Sequence, residues 1–171
     1  MDLSGSWEYV VRTARSRLSN NLTPHHRYEL GESGEILGVA GEIVARNFFG
    51  MPGNVHEGFD NGVDIKWGGM TIDVKATILT PNLAYRFLQW PEWKRIKAEI
   101  ILLTAVDPIT QLGVAVGYAT KKEIESAPVN RTRAQPCREI PVTQLHGLWE
   151  LYASLQGGSK RRSQIPVFTV R

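Results

Sequence analysis

The chain has 171 residues, 42% of them hydrophobic and 22% charged, and a formal net charge of +3, so it fits one domain (1–171) that buries a core without disulfides or a structural metal. Its lone cysteine, Cys137, excludes an internal disulfide and has no zinc-type Cys/His spacing nearby, which predicts a reducing, cytoplasmic setting. No stretch approaches the roughly 20 apolar residues of a membrane span, MDLSGSWEYVV is unlike an export signal, and the small positive charge permits a polyanionic partner without demanding one.

Ser6 caps a run in which Trp7, Val10, Val11, Ala14 and Leu18 fall at helical spacing, with Arg12 and Arg15 on other faces, predicting a first helix over 6–20. NNLTPHHRYELGESG, with Pro24 and two glycines, reads as a connection. Its His25 and His26 are candidates for phosphate contact or proton donation, although paired loop histidines are more often incidental. From Glu35 to Phe49 the residues Ile36, Leu37, Ala40, Ile43, Val44 and Phe48 recur every three or four positions before Gly50, predicting an amphipathic second helix. Gly34, Gly38 and Gly41 each cost about 1 kcal/mol of helix propensity against alanine, which predicts close approach to another backbone.

NGVDIKW and MTIDVKATI read as two strands joined by Gly68-Gly69, and AEIILLTAV and LGVAVGYA as two more. Thr120 and Glu123 form a capping box opening the short helix KKEIESA. APVNRTRAQPCREIP reads as a loop, Thr143 to Gln156 as a helix stopped by Gly157-Gly158, and 157–171 as a basic tail with Lys160, Arg161 and Arg162 ahead of IPVFTV. A mixed α/β fold is expected, with Tyr118, Trp149 and Tyr152 assigned to packing.

With Gly68 and Gly69 as the turn, Trp67 pairs with Met70, Lys66 with Thr71, Ile65 with Ile72, and Asp64 with Asp73. Strand alternation then gives one apolar face (Val63, Ile65, Trp67, Met70, Ile72, Val74, Ala76) and one polar face (Asp64, Lys66, Thr71, Asp73, Lys75). Two opposed carboxylates repel unless a cation or proton lies between them. Carboxylate oxygens suit Mg²⁺, with Mn²⁺ as substitute, and waters, the Val74 carbonyl and substrate phosphate oxygens would complete the octahedron. Lys75, two residues along the polar face, is placed to orient the attacking water or stabilise charge on the phosphate. The competing reading is an exposed hairpin with scattered charges, since Asp64-Ile65-Lys66 and Glu92-Trp93-Lys94 share the D/E-x-K pattern. Only Asp73-Val74-Lys75 has an upstream acid on a neighbouring strand, since Asp64 is preceded only by Asp60, too close in sequence, and Glu92 follows Pro91 in an irregular segment.

GVAGEIVARNFFG, GVDIKW and TIDVKAT together resemble the PD-(D/E)xK nuclease superfamily, which has the restriction-endonuclease-like fold and includes Holliday junction resolvases. The resemblance covers roughly 31–120 and implies an αβββαβ core with a central mixed sheet flanked by helices. It maps the family's helix glutamate, strand aspartate and following (D/E)-x-K onto Glu42, Asp64, Asp73 and Lys75, implying Glu42 as a further metal ligand. Val63 stands where the motif's proline would be, and Asp73 replaces the commoner glutamate. The implied activity is Mg²⁺-dependent hydrolysis of DNA by a structure-selective, junction resolvase-like endonuclease, as a homodimer because two strands need two cuts. Glu42 has an alternative role in an i,i+4 pair with Arg46 on a solvated face, and Glu35, seven residues earlier, is its substitute.

Arg86, Lys94, Arg95 and Lys97 interleave with Tyr85, Phe87, Trp90 and Trp93, a mixture suited to phosphate contact and base stacking, or to a partly buried face with solvated charges. With Lys66 and Thr77 they are the candidates for nucleic-acid contact. No Gly-rich phosphate loop, Ser/His/Asp set or nicotinamide fingerprint occurs, so no small-molecule cofactor is expected. The rival functions are a non-catalytic nucleic-acid-binding module on the same fold, a sequence-specific restriction-type enzyme, and a structural α/β protein with incidental charges.

Overall fold

The computed structural model describes residues 1–20, 31–55 and 62–156. The expectations for Pro24, His25, His26, Lys160, Arg161, Arg162 and the final IPVFTV lie outside them.

Helix α1 (Trp7–Asn20) follows a 3-10 turn at Ser4–Ser6, close to its expected start. Its Val10 and Ala14 are buried against Val39, Ala40, Ile43 and Val44 of α2 (Gly31–Phe48), as the spacing of both runs requires. Helix α2 starts earlier than expected, absorbing the glycine-bearing end of the segment read as a connection. The Tyr9 hydroxyl ties the chain after α2 back to α1, accepting from the Val55 N–H at 3.1 Å and donating to the Val55 carbonyl at 3.3 Å. Close approach holds at Gly41, where a Cβ would lie 2.5 Å from Thr104 Oγ1 and 2.7 Å from Ala76 Cβ. At Gly38 a Cβ would meet nothing within 4 Å, so that glycine serves no such contact.

Strands β1 (Ile65–Trp67) and β2 (Met70–Ile78) form the expected hairpin, with Ile65, Lys66 and Trp67 opposite Ile72, Thr71 and Met70. Gly68 at φ 57° and Gly69 at φ 86° supply the two left-handed turn positions. Strands β4 (Ile100–Asp107) and β5 (Leu112–Thr120) fall where the two apolar runs predict. They complete a mixed sheet of order β1-β2-β4-β5, in which β2 and β4 are parallel and the other pairs antiparallel.

The crossover between β2 and β4, to which the sequence assigned no element, is an excursion through a 3-10 turn at Leu83–Tyr85 and strand β3 (Phe87–Pro91), which joins a second sheet and adds a strand to the expected αβββαβ order. That sheet has the order β3-β7-β6, with β6 (Val129–Asn130) and β7 (Cys137–Pro141) drawn from the segment read as a loop. Its prolines, Pro91, Pro128, Pro136 and Pro141, sit at strand ends or in the joins, where a missing N–H breaks no central ladder bond. Leu88, Trp90 and Ile140 point inward onto Ile101 and Leu103 of β4. Buried Glu139 stays in β7 as the shared acceptor of Arg133 at 2.5 Å, Asn130 at 3.0 Å and Gln89 at 3.1 Å.

Of the expected apolar hairpin face, Ile65, Ile72 and Val74 are buried against Ala45 of α2 and Leu151 of α4 (Leu148–Gln156), whereas Val63 packs with the cluster of Leu88, Trp90 and Ile101. The polar face is covered only in part: Asp73 is 1% exposed and Lys75 lies against Trp90 of the second sheet, whereas Lys66 is exposed. Helix α3 (Lys121–Ser126) carries the expected capping box. Helix α4 begins five residues later than predicted, after a 3-10 turn at Val142–Gln144. Trp149 is 65% exposed and does not pack into the core, whereas Tyr152 lies 5.7 Å from the Trp67 ring. Among the described residues no helix is long and apolar enough to cross a membrane.

Candidate active site

Strand β1 has three residues and β2 nine, so beyond Ile72 the edge of β2 outruns its partner. The Asp64 N–H donates to the Ile72 carbonyl at 3.0 Å, and Asp64 Oδ2 then accepts from the Val74 N–H at 2.5 Å. The Asp64 carboxylate stands in for the next ladder carbonyl. The regular pairing therefore stops at Ile65 and Ile72, and the direct ladder opposition of Asp64 to Asp73 is replaced by a fork. Within a strand the N–H and C=O of one residue share an edge, so the Val74 carbonyl is turned toward the Asp64 side.

Asp73 is buried on β2, and the Lys75 ammonium pairs with its Oδ1. The same ammonium lies 4.9 Å from the Trp90 ring centroid, close enough for a cation–π contact that holds it in place. Gly62, at φ 77°, closes the wall: a Cβ there would sit 3.8 Å from Asp73 Oδ2 and 3.9 Å from Lys97 Cδ. Asp73, Lys75 and Lys97 are thus neighbours, although Lys97 comes from the crossover.

Glu42 is 7% exposed and does not sit on a solvated face. Its partner is Arg17 of α1, which donates to both carboxylate oxygens at 2.6 and 2.9 Å. Glu35 lies 3.6 Å from the same guanidinium. Arg46, the anticipated i,i+4 partner, instead donates to the Asp64 carbonyl at 3.2 Å. Burial disfavours charge on Arg17, but its hydrogen bonds to Glu42 and the charges of Glu42, Glu35 and Asp64 outweigh it and raise the arginine above its ordinary range. Sequence reasoning passed over Arg17. Its signal was its position three, four and seven residues after Ala14, Thr13 and Val10, a lone cation on the buried face of α1.

No family model, curated protein or solved structure matches this chain.

The functional reading therefore rests on the site. Asp64, Asp73, Val74 and Lys75 meet at the fork, and Glu42 approaches Asp64 through Arg17 from the α2 side. Hard carboxylate and carbonyl oxygens suit Mg²⁺ or Mn²⁺ by their chemistry. Among the described residues, however, no three acidic, histidine or cysteine side chains gather as a ready metal cage. Asp64 and Asp73 supply carboxylate oxygens beside the fork, each already accepting from a protein donor, and Glu42 is held by Arg17. Of the remaining candidates, Lys66 is exposed on the hairpin and Thr77 half-buried further along β2. Arg86, Lys94, Arg95 and Lys97 are exposed around β3.

Proposed function

We propose that the chain is a Mg²⁺-dependent nuclease that hydrolyses phosphodiester bonds in DNA, a structure-selective endonuclease of the PD-(D/E)xK type with a restriction-endonuclease-like core. The observation that carries this reading is the fork, where the Asp64 carboxylate binds the backbone of the strand bearing Asp73-Val74-Lys75. Asp64, Asp73 and the Val74 carbonyl would hold Mg²⁺, or Mn²⁺ in its place, and the bound ion would acidify a water and polarise the phosphate. Asp73, buried, anchors the Lys75 ammonium, and the Trp90 ring limits its swing. Lys75 then orients the attacking water and stabilises negative charge on the phosphate, the charge-stabilising role that a pre-positioned ammonium performs best in a partly desolvated cleft. A homodimer would cut two strands, and the lone thiol of Cys137 favours a cytoplasmic setting.

The test is incubation with supercoiled plasmid and a synthetic four-way junction in Mg²⁺, Mn²⁺ or EDTA, beside an Asp73→Asn/Lys75→Ala variant. Metal-dependent cutting that falls about 10³-fold in the variant is expected. Preference for the junction over linear duplex marks the structure-selective enzyme. No cutting by the wild type in any metal would sink the reading. A second reading, a non-catalytic nucleic-acid-binding module, is favoured by one observation: Glu42, Asp64 and Asp73 each already accept from a protein donor. Binding indifferent to Mg²⁺ and to Asp73→Asn, without scission, would select it.

A further inference from the structure

The crossover that carries Trp90 gathers cations that form no ion pair among the described residues, as Arg12, Arg46, Lys66, Lys122 and Arg138 also do singly on other elements. Arg15, Arg17, Lys75, Lys121, Arg131 and Arg133 each have a carboxylate partner. Arg86, Lys94, Arg95 and Lys97 form no ion pair among the described residues. The only acids of the segment are engaged elsewhere, Glu92 with Arg131 at 3.0 Å and Glu99 with the N–H and hydroxyl of Thr71 at 3.0 and 3.1 Å. The segment also leaves Tyr85 80% and Trp93 64% exposed, while Leu88, Trp90 and Ile96 anchor it in the core. A surface that keeps uncompensated cations beside exposed rings suits a polyanion whose bases stack.

The segment is also fixed to the candidate active site. Lys75 and Lys94 lie 4.9 and 5.4 Å from the centroid of one ring, that of Trp90. Trp90 Nε1–H donates to the Lys94 carbonyl at 2.6 Å, and the Glu92 N–H donates to the Pro136 carbonyl at 3.0 Å, pinning both sides of Trp93.

We propose that the Tyr85–Lys97 segment binds single-stranded DNA next to the scissile phosphate, with Lys94, Arg95 and Lys97 on phosphates and Trp93 stacked on an unpaired base. It rests on the nuclease reading and names its substrate class: DNA with unpaired nucleotides beside the cut. Duplex DNA offers the same phosphates but keeps its base faces stacked, so the cations serve both forms and Trp93 only the unpaired one.

The experiment is fluorescence anisotropy in EDTA with a labelled oligothymidylate and a labelled duplex, using wild type, Trp93→Ala and Lys94→Ala/Lys97→Ala, each checked by thermal melting. Trp93→Ala should weaken oligothymidylate binding about tenfold while changing duplex binding by less than about twofold. The double lysine variant should weaken both and flatten their salt dependence. Equal oligothymidylate affinity in wild type and Trp93→Ala, or an equal loss on both probes, overturns the proposal, as does no binding at low salt. Because EDTA removes cleavage from the measurement, failure of the nuclease reading shows separately, as absence of scission in Mg²⁺ with this binding pattern intact.

Discussion

The two sides of the fork handle charge in opposite ways. On the α2 side Arg17 is enclosed by Glu42, Glu35 and Asp64, and of the bidentate pair Glu42 is buried and Arg17 largely so. On the crossover side Lys94 and Lys97 stand in solvent without carboxylates among the described residues, near a lysine that already has one. Burying a charge is tolerable only when it is paired, whereas an exposed cation needs no partner within the protein and can keep its field for a ligand. The α2 side is therefore built to hold the fold together, and the crossover side leaves its cations in solvent.

The sharpest way to break that contrast is Arg17→Ala, which leaves Glu42 buried without its guanidinium. A loss of about 3 to 5 kcal/mol in urea unfolding is expected, with much of it recovered in Arg17→Met/Glu42→Gln. A loss below about 1 kcal/mol would mean that the pair behaves as a surface pair. Next in size is Gly41→Ala on the same helix, whose new methyl meets Thr104 Oγ1 and Ala76 Cβ well inside contact distance. The expected cost is about 1 to 3 kcal/mol from overpacking, read as a fall in melting temperature. Tolerance of alanine there would show that α2 has room to lift from the sheet.

The smallest effect belongs to an exposed counterpart, His146, whose Nε2 meets Glu123 Oε1 at 2.6 Å and whose Nδ1 lies 3.4 Å from Glu150. The Glu123 hydrogen bond raises the imidazole above its ordinary 6.5. A raised folded value means that this stabilisation is fully present below pH 6.5 and is lost as pH rises through the folded value. Solvent screening holds it under about 1 kcal/mol. His146→Gln should remove that part of the pH dependence of the urea midpoint above pH 6.5, and an unchanged profile would discard the pair as a contributor.

Much of the fold is legible in the residues. The Gly68-Gly69 turn with alternating strands predicts the hairpin and its register, and Thr120 with Glu123 predicts a helix start. The second sheet is not legible, because β6 has two residues and β7 five, too short for a period among prolines and arginines. Those strands exist because Leu88, Trp90 and Ile140 find Ile101 and Leu103 to pack on. Of the candidate site, the motif located Asp64, Asp73, Val74 and Lys75, and the partners that set their environment came from elsewhere in the chain: Arg17, Trp90 and Gly62.

By itself the sequence determines which residues alternate, which turn, and which acids and lysine share one hairpin, since these follow from local backbone geometry. Only the tertiary structure decided that Asp73 on the polar hairpin face is covered, that Glu42 faces Arg17 instead of Arg46, and that Lys97 reaches the Asp73 wall. Those outcomes depend on which distant segments pack together, and packing is settled by the apolar area that a whole chain buries at once, which no local pattern records.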